Sequence, residues 1–206
     1  MQKIESVYRY LENKPSDINE HLPTLMKYAK ECESVFETGV RGCISSWAFV
    51  YGLLNNNKSN KYILLNDITT CDINELLQSS KDLPITIEYE WKNNLDLTMS
   101  RNVDLTFIDT WHVYGQLIRE LRKFSPITNK YIILHDTTVD EWKGESIRAG
   151  WDTKKQAIIS GFPEEEIRKG LWYAVEEFLN ENKEWILHER FKNNNGQNFE
   201  QWKIYR

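Results

Sequence analysis

The chain has 206 residues, a mass of 24.5 kDa and a formal charge of −5, with 26 Lys and Arg against 31 Asp and Glu. This length suits one domain with a sizeable core, so we expect a single domain over residues 1–206. The mildly acidic balance, without a concentrated basic block, argues against polymer DNA or RNA as a partner. Three cysteines without C-x-x-C spacing argue against a disulfide framework or a zinc site and for a reducing compartment.

Neither a secretory signal nor a membrane span is visible in the sequence. Residues 1–14 are mixed in charge and lack an apolar h-region. No later apolar run approaches the about 20 residues needed to cross a bilayer. The sequence therefore predicts a soluble cytoplasmic protein with no membrane partner.

In chain order, the first strong pattern is an amphipathic helix over residues 16–33, with Ser16 as its N-cap. Strand-like and helix-like segments then alternate. Strands are predicted at 34–37, 61–66, 85–89, 103–108 and 130–135, and helices at 44–54, 72–79, 113–124 and 164–180. The strands are short, continuous apolar runs, which is typical of a parallel sheet buried on both faces. The alternation predicts a doubly wound α/β fold.

The carboxyl-terminal quarter breaks this alternation. Strand-like runs at 185–191 and 199–205 flank turn-forming residues at 193–198. Two late strands joined by a turn predict an antiparallel hairpin, whereas a dehydrogenase would continue with further βαβ units. The predicted fold class is therefore α/β, a doubly wound Rossmann-like seven-stranded sheet with an antiparallel C-terminal hairpin.

The turn after the first predicted strand carries Glu37, Gly39 and Gly42. Glycines let the backbone turn sharply and let a ligand approach the chain closely. Glu37 stands where a dinucleotide-binding loop has its first glycine, and a carboxylate suits an amine or a positive charge better than a pyrophosphate. The pattern E-x-G-x-x-G resembles motif I of the class I S-adenosylmethionine-dependent methyltransferases. A plain structural turn is the alternative.

That resemblance implies S-adenosylmethionine as the cofactor. The residues that it assigns to cofactor binding in this turn are Glu37, Gly39, Gly42 and Ser45. Asp67 ends the second predicted strand, where an acidic side chain can accept both ribose hydroxyls. Capping of the next helix is the alternative role for Asp67, and Asp72 is the competing ribose ligand.

Acidic residues also end the fourth and fifth predicted strands. Because open α/β sheets bind ligands at the carboxyl ends of their strands, Asp109 and Asp136 should face one crevice. The F-I-D ending of strand 4 resembles the metal-dependent catechol-type O-methyltransferases, which implies that Asp109 is a Mg²⁺ ligand and that His112 takes the position of the catalytic lysine. We also count Asp109 among the cofactor-binding residues.

The H-D ending of strand 5 resembles the cephalosporin-hydroxylase-like and macrolide-sugar O-methyltransferase group, in which an acidic pair binds metal. Asp136 matches one member of that pair. The chain departs from both patterns, because His135 stands in place of the second carboxylate and Thr137 in place of the asparagine of the catechol enzymes. Two roles stay open for Asp109 and Asp136. They could bind Mg²⁺, or they could orient the substrate directly.

The two histidines receive different predicted roles. His112 lies in the turn after Asp109, and we expect it to act as a general base near its ordinary pKa. His135 precedes Asp136, so alternation along the strand points it to the opposite face. We count His135 among the substrate contacts, with a packed structural role as the alternative.

Residues 137–165 form a connection longer than the few residues usual in this fold, which predicts a lid-like insertion. Its Trp142 and Trp151 could stack on a sugar ring. The other residues suited to an anionic acceptor are Lys143, Arg148, Lys154, Lys155 and Phe162. An ordinary surface excursion with a small helix is the alternative.

Together these features predict an S-adenosylmethionine-dependent O-methyltransferase acting on a small-molecule hydroxyl, with a sugar or nucleotide-linked sugar as the expected acceptor. The first alternative is a catalytically inactive cofactor-binding module that serves as a partner subunit. A nicotinamide-dependent oxidoreductase is disfavoured by Glu37 and by the terminal hairpin. The oligomeric state, a homo-oligomer included, is left open.

Overall fold

The computed structural model describes residues 1–192 and 200–205, with side chains through residue 190. The helices are α1 Gln2–Asn13, α2 Leu22–Lys30, α3 Ile44–Leu54, α4 Asn74–Ser80, α5 Tyr114–Phe124, α6 Glu145–Arg148, α7 Thr153–Ser160, α8 Glu164–Arg168 and α9 Leu171–Glu181. The strands are β1 Ser34–Thr38, β2 Lys61–Asp67, β3 Ile85–Trp91, β4 Val103–Ile108, β5 Thr128–Leu134, β6 Ile186–Lys192 and β7 Glu200–Tyr205.

The strands follow the order β3-β2-β1-β4-β5-β7-β6. Strand β1 pairs in parallel with β2, which pairs in parallel with β3. At the other edge, β7 is antiparallel to both β5 and β6. The predicted α/β fold with a parallel central sheet is confirmed. The predicted turn at 193–198 lies outside the described residues.

The chain forms two compact units, one of Met1–Phe107 with Thr128–Lys130 and one of Ile108–Ile127 with Tyr131–Arg206. In the first unit, α3 is buried along almost its whole length, and it packs against α1 and α2. In the second unit, apolar residues of α5, β5 and α9 form the core. The side chains of this second core include Leu117, Leu121, Ile132, Leu134, Val175 and Phe178.

The predicted helix over 16–33 was wrong at its start. The Ser16 hydroxyl accepts hydrogen bonds from the backbone N–H groups of Ile18 and Asn19, at 3.4 and 3.0 Å, and so opens a short 3-10 turn instead of capping a long helix. The α-helix begins only at Leu22, with Pro23 in its first turn. Proline fits that position because the first helical N–H groups need no intrahelical partner.

The predicted helix over 164–180 is broken into α8 and α9. Lys169 and Gly170 have extended backbones, and the N–H groups of Leu171 and Trp172 donate to the carbonyl oxygens of Asp140 and Glu141 at 2.8 and 3.0 Å. A Cβ atom on Gly170 would lie 2.4 Å from each of those two carbonyl oxygens. Glycine is therefore required by a close backbone approach that the helical periodicity does not reveal.

Within the described residues, every helix is too short or too polar to pass through a membrane. Cys32, Cys43 and Cys71 are all free thiols, and the first two are buried.

Candidate functional site

The glycine-containing turn after β1 is built by unusual backbone angles. Gly39 has a φ of 92°, and the non-glycine residues Arg41 and Cys43 have φ values of 42° and 60°. The N–H of Gly39 donates to the carbonyl oxygen of Asn66 at 2.9 Å, which ties the turn to the end of β2. A left-handed conformation is disfavoured for any residue with a Cβ atom. The turn therefore holds two strained positions, and such strain is concentrated at functional sites.

Glu37 is fully buried at the end of β1. Its Oε1 atom accepts a short hydrogen bond from the Ser45 hydroxyl in the first turn of α3. Ser45 is 5% exposed, so the pair joins the strand to the helix on either side of the glycine turn. The structure thus brings together the residues of motif I, and their contact with a cofactor stays a prediction.

Asp67 is occupied by the protein's own groups. Its carboxylate accepts hydrogen bonds from the backbone N–H of Arg41 at 2.9 Å and from the backbone N–H and hydroxyl of Thr69, each at 2.8 Å. Burial alone would raise the pKa of Asp67, but these hydrogen bonds lower it. Asp67 is therefore an ionised anchor of the glycine turn. Asp72, the competing candidate, caps the start of α4 through Asn74 at 3.0 Å.

An exposed apolar pair beside Asp67 escaped the sequence analysis. Ile68 and Trp91 are 68% and 65% exposed, and the indole N–H of Trp91 donates to the carbonyl oxygen of Ile68 at 3.0 Å. They lie at the carboxyl ends of β2 and β3. A tryptophan at the end of an edge strand was the available signal, and two exposed apolar side chains there offer a surface for a flat ring.

The residues after β4 and β5 form a cluster of carboxylates and imidazoles in the second unit, which we call the Asp–His cluster: Asp109, His112, His135, Asp136 and Asp140. The N–H of His135 donates to the carbonyl oxygen of Ile108 at 3.1 Å, so the two strand ends stay paired. His112 Nε2 lies 3.1 Å from Asp109 Oδ1, and its Nδ1 lies 3.3 Å from Asp136 Oδ2. The predicted convergence of Asp109, His112 and Asp136 is therefore present.

His135 also points into the cluster, which differs from the expected opposite face. Its Nδ1 lies 3.3 Å from both Asp109 Oδ1 and Asp136 Oδ1. Strand β5 ends at Leu134, and Asp136 has a φ of 55°, so strand alternation no longer applies. The side chain of His135 is 1% exposed, which places it behind the carboxylates rather than on a surface open to a substrate.

Asp140 is the cluster member that the sequence analysis missed. Its side chain is fully buried, and its two oxygens accept hydrogen bonds from Nε and Nη2 of Arg148 at 2.7 and 2.8 Å. Its Oδ2 atom lies 3.2 Å from His112 Nδ1. The only sequence signal was its position about one helical turn beyond Asp136. In the structure, the Asp140 N–H donates to the Asp136 carbonyl oxygen at 3.2 Å, as it would in one turn of a helix.

The close charges in the cluster shift its ionisation. Burial alone would lower the pKa of His112, but its contacts with Asp109, Asp140 and Asp136 raise it well above its ordinary value. Burial raises the pKa of Asp136 to about 6, against the opposing charges of His135 and His112. Burial would also raise the pKa of Asp109, but His135 and His112 lower it. These contacts thus favour the charged form of the His112 ring, whereas a pKa near the ordinary value was expected.

The residues of the predicted lid differ in whether they already have a partner within the protein. Trp142 and Trp151 are each 49% exposed. Arg148 is committed to Asp140, and Phe162 stacks on Trp111 with a ring separation of 6.1 Å. The exposed basic residues in α7 are Lys154 and Lys155. Only part of the expected surface is therefore available to a ligand.

The solved structures that are similar to this chain along its whole length include methyltransferases. The N-methyltransferase NodS of Bradyrhizobium japonicum, bound to S-adenosylhomocysteine, matches with a TM-score of 0.60 and 13% identity over 100% of this chain and 97% of that one. An O-methyltransferase of Bacillus cereus, also bound to S-adenosylhomocysteine, gives 0.59 and 11% over 100% and 91%. The O-methyltransferase TomG of Streptomyces achromogenes gives 0.57 and 10% over 99% and 88%.

Neither a protein-family model nor a curated protein sequence matches the chain. At 10–13% identity, the three structural matches establish the fold. The chain has the fold of the class I S-adenosylmethionine-dependent methyltransferases, as its motif I pattern predicted. These proteins methylate nitrogen in one case and oxygen in the others, so the acceptor must be argued from the residues of this chain.

Proposed function

We propose that the protein is an S-adenosylmethionine-dependent O-methyltransferase acting on a hydroxyl of a small molecule. The observation that carries this proposal is the Asp–His cluster at the carboxyl ends of β4 and β5 in a chain with the class I methyltransferase fold. Ligands of open α/β sheets bind at that end of the strands. The proposal includes one domain over residues 1–206, the complete seven-stranded sheet with its terminal hairpin, and a lid at 137–165.

The cofactor would be held by the glycine turn. Gly39 leaves the backbone accessible, Glu37 provides a negative charge for a cationic ligand, and Asp67 is an ionised acceptor for ribose hydroxyls. The other residues proposed to contact the cofactor are Gly42, Ser45 and Asp109. The cofactor supplies an activated methyl group, and much of the acceleration of such a displacement comes from alignment of the reactants.

The acceptor hydroxyl would be oriented by Asp109 and Asp136. It must lose a proton as the methyl group is transferred. His112 is the expected proton acceptor, and the carboxylates around it raise its pKa above the ordinary value, which favours the protonated ring. Removal of a proton by His112 would require that a cation or the bound acceptor first engage the two carboxylates.

The donor groups fit a divalent cation. One ligand atom from each of Asp109, His112 and Asp136 lies within 4.8 Å of the others. Binding of Mg²⁺ by the two carboxylates is part of the proposal. A bound ion would supply Lewis acidity that acidifies the acceptor hydroxyl. The protein's contribution is to hold the two carboxylates together through His135, 3.3 Å from both.

An anionic sugar, such as a nucleotide-linked sugar, is the acceptor class that the lid supports. Trp142 and Trp151 are half exposed and can stack on a sugar ring. Lys154 and Lys155 are exposed on α7 and can attract a phosphate. Arg148 is also exposed, but its guanidinium is bonded to Asp140, so Lys143, Lys154 and Lys155 are the lid's other exposed basic groups.

The cofactor placement is tested by calorimetric titration of S-adenosylhomocysteine into two matched variants. Asp67→Ala should weaken binding by roughly 1–3 kcal/mol for a lost charge-assisted contact. Asp72→Ala removes a nearby, more exposed carboxylate and should leave the affinity unchanged. Equal affinities of both variants and the unmodified protein, all folded, would contradict the placement.

The acceptor is tested by transfer of labelled methyl from S-adenosylmethionine to a panel of nucleotide sugars, neutral sugars and catechols. Preference for the nucleotide sugars is expected. Methylation of catechols alone would overturn the acceptor class and keep the cofactor assignment. Tight cofactor binding without transfer to any hydroxyl compound would favour the inactive binding module instead.

A further inference from the structure

The Asp–His cluster differs from a magnesium site in one respect, which is the imidazole at its centre. His112 presents Nε2 to Asp109 at 3.1 Å and Nδ1 to Asp136 at 3.3 Å. One atom from each of these three side chains falls within a 4.8 Å span, which suits ligands of a single ion. Mg²⁺ prefers oxygen ligands, whereas imidazole together with carboxylates suits Mn²⁺, Fe²⁺, Co²⁺ or Zn²⁺.

Asp136 gives independent evidence for a ligand at this place. Its side chain is 10% exposed, and its Oδ1 atom accepts no hydrogen bond from the described residues, although Nδ1 of His135 lies 3.3 Å away. A buried carboxylate oxygen without a donor is costly. Its backbone is also left-handed, with a φ of 55°. A cation bound by Asp136 would offset the cost of burying this oxygen.

Asp140 is placed to orient His112 as a ligand. Histidines that bind metal usually donate their second ring N–H to a carboxylate, which fixes the ring and its tautomer. Asp140 Oδ2 lies 3.2 Å from His112 Nδ1, and Asp140 is itself held by both Nε and Nη2 of Arg148. Asp140 contacts the Nδ1 side of the ring, which leaves Nε2 to share an ion with Asp109.

We propose that Asp109, His112 and Asp136 bind one divalent transition-metal ion in preference to Mg²⁺, with Asp140 and Arg148 as positioning residues for His112. This inference rests on the proposed function for the role of the ion, which would acidify an acceptor hydroxyl bound beside it. His112 is then a ligand rather than the general base, and the proton of the acidified hydroxyl would pass to solvent as the oxygen–methyl bond forms and the methyl–sulfur bond breaks.

The test is calorimetric titration of Mn²⁺ and Mg²⁺ into the metal-stripped full chain, with electron paramagnetic resonance of bound Mn²⁺ as the second readout. Mn²⁺ should bind at one site and more tightly than Mg²⁺. His112→Ala should reduce Mn²⁺ affinity by more than about 100-fold, because it removes a direct ligand. His188→Ala, which changes an exposed histidine on β6, is the matched control and should leave Mn²⁺ affinity unchanged.

Substitution of the positioning residues should lower Mn²⁺ affinity by smaller amounts than loss of His112. Asp140→Asn should lower Mn²⁺ affinity by about 10–100-fold. Arg148→Lys, which keeps the charge but loses the paired hydrogen bonds, should lower it less than Arg148→Met. If His112→Ala does not fold, these variants decide the question. Equal Mn²⁺ and Mg²⁺ affinities, Mn²⁺ binding insensitive to His112 and Asp140, or no Mn²⁺ binding would each overturn the inference.

Failure of this inference can be told apart from failure of the proposed function. Methyl transfer that continues at full rate in excess EDTA, with S-adenosylhomocysteine bound normally, would contradict the metal site and support the methyltransferase function. Binding of one Mn²⁺ through His112, in a protein that has no affinity for S-adenosylhomocysteine, would support the metal site and contradict the methyltransferase function.

Discussion

The glycine turn after β1 and the Asp–His cluster after β4 and β5 differ in the partners of their acidic side chains. In the turn, the acidic side chains already have partners in the protein, since Glu37 is bonded to Ser45 and Asp67 to Arg41 and Thr69. In the cluster, several carboxylates converge on imidazoles, and Asp136 Oδ1 accepts no hydrogen bond from the described residues.

This contrast teaches that the acidic side chains of the two regions differ in how far the protein itself satisfies them. The turn is distinguished by its backbone, with a set of positive φ angles that begins at Gly39. The cluster is distinguished by charged side chains that shift one another's pKa values. Substitutions should therefore separate cofactor binding from metal binding and turnover.

The largest expected effect is that of Gly39→Val. Gly39 has a φ of 92°, a conformation that a β-branched residue hardly adopts, and the added side chain would fill space that the cofactor needs. S-adenosylhomocysteine binding, measured by calorimetry, should be abolished. Mn²⁺ binding by the cluster should persist and serves as the control for a folded second unit. Retained cofactor binding would break the contrast between the two regions.

His112→Ala should have the reverse effect of Gly39→Val, because it should change the cluster and leave cofactor binding intact. We expect turnover to fall by roughly 10²–10⁴-fold, because the cluster loses the imidazole at its centre, while affinity for S-adenosylhomocysteine stays nearly constant. His135→Ala should cost less, since His135 lies behind the carboxylates. Initial rates with labelled cofactor measure both. A loss of turnover with Mn²⁺ affinity unchanged would return His112 to the general-base role.

Asp136→Asn should make the metal-free protein more stable while it impairs function. The pKa of Asp136 is raised to about 6 by burial, so its ionisation destabilises the fold as the pH rises from about 4 through about 6. A shift of roughly two units corresponds to at most about 3 kcal/mol. Asparagine carries no charge and tolerates a positive φ. Urea unfolding should therefore show an advantage for the variant at pH 7.5 that shrinks below pH 4. A constant difference at the two pH values would contradict the linkage.

The smallest expected effect is that of Trp151→Ala in the lid. Trp151 is 49% exposed and would bind the acceptor equally in the ground state and the transition state. KM for the nucleotide sugar should rise several-fold with little change in kcat. Ile158→Ala, at an 85% exposed position in α7, is the matched control and should change neither constant. A fall in kcat alone would place Trp151 closer to the chemistry.

Much of the sheet could be predicted from the sequence, because buried parallel strands appear as continuous apolar runs. Strand β4 has the predicted bounds, Val103–Ile108. The predictions failed where contacts distant in the sequence decide the backbone. Ser16 caps a 3-10 turn, and Gly170 breaks a helix because two carbonyl groups approach it.

The site was predictable where position on a strand determines it, and less so beyond the strand ends. Asp109, His112 and Asp136 follow from their places after β4 and β5. His135 lies one residue beyond the end of β5, where strand alternation no longer predicts the direction of a side chain. Asp140 lies in an irregular connection, so its burial beside His112 required the structure.

Asp140 joins two tasks in one residue. Its side chain faces His112, and its backbone carbonyl oxygen accepts the N–H of Leu171 at the start of α9. The tolerance of position 170 to mutation is thereby linked to the chemistry of the cluster, because any Cβ there would meet the Asp140 carbonyl oxygen at 2.4 Å. A side chain at position 170 would displace that carbonyl group, and with it the carboxylate beside His112, so Gly170→Ala should disturb the cluster as well as the start of α9.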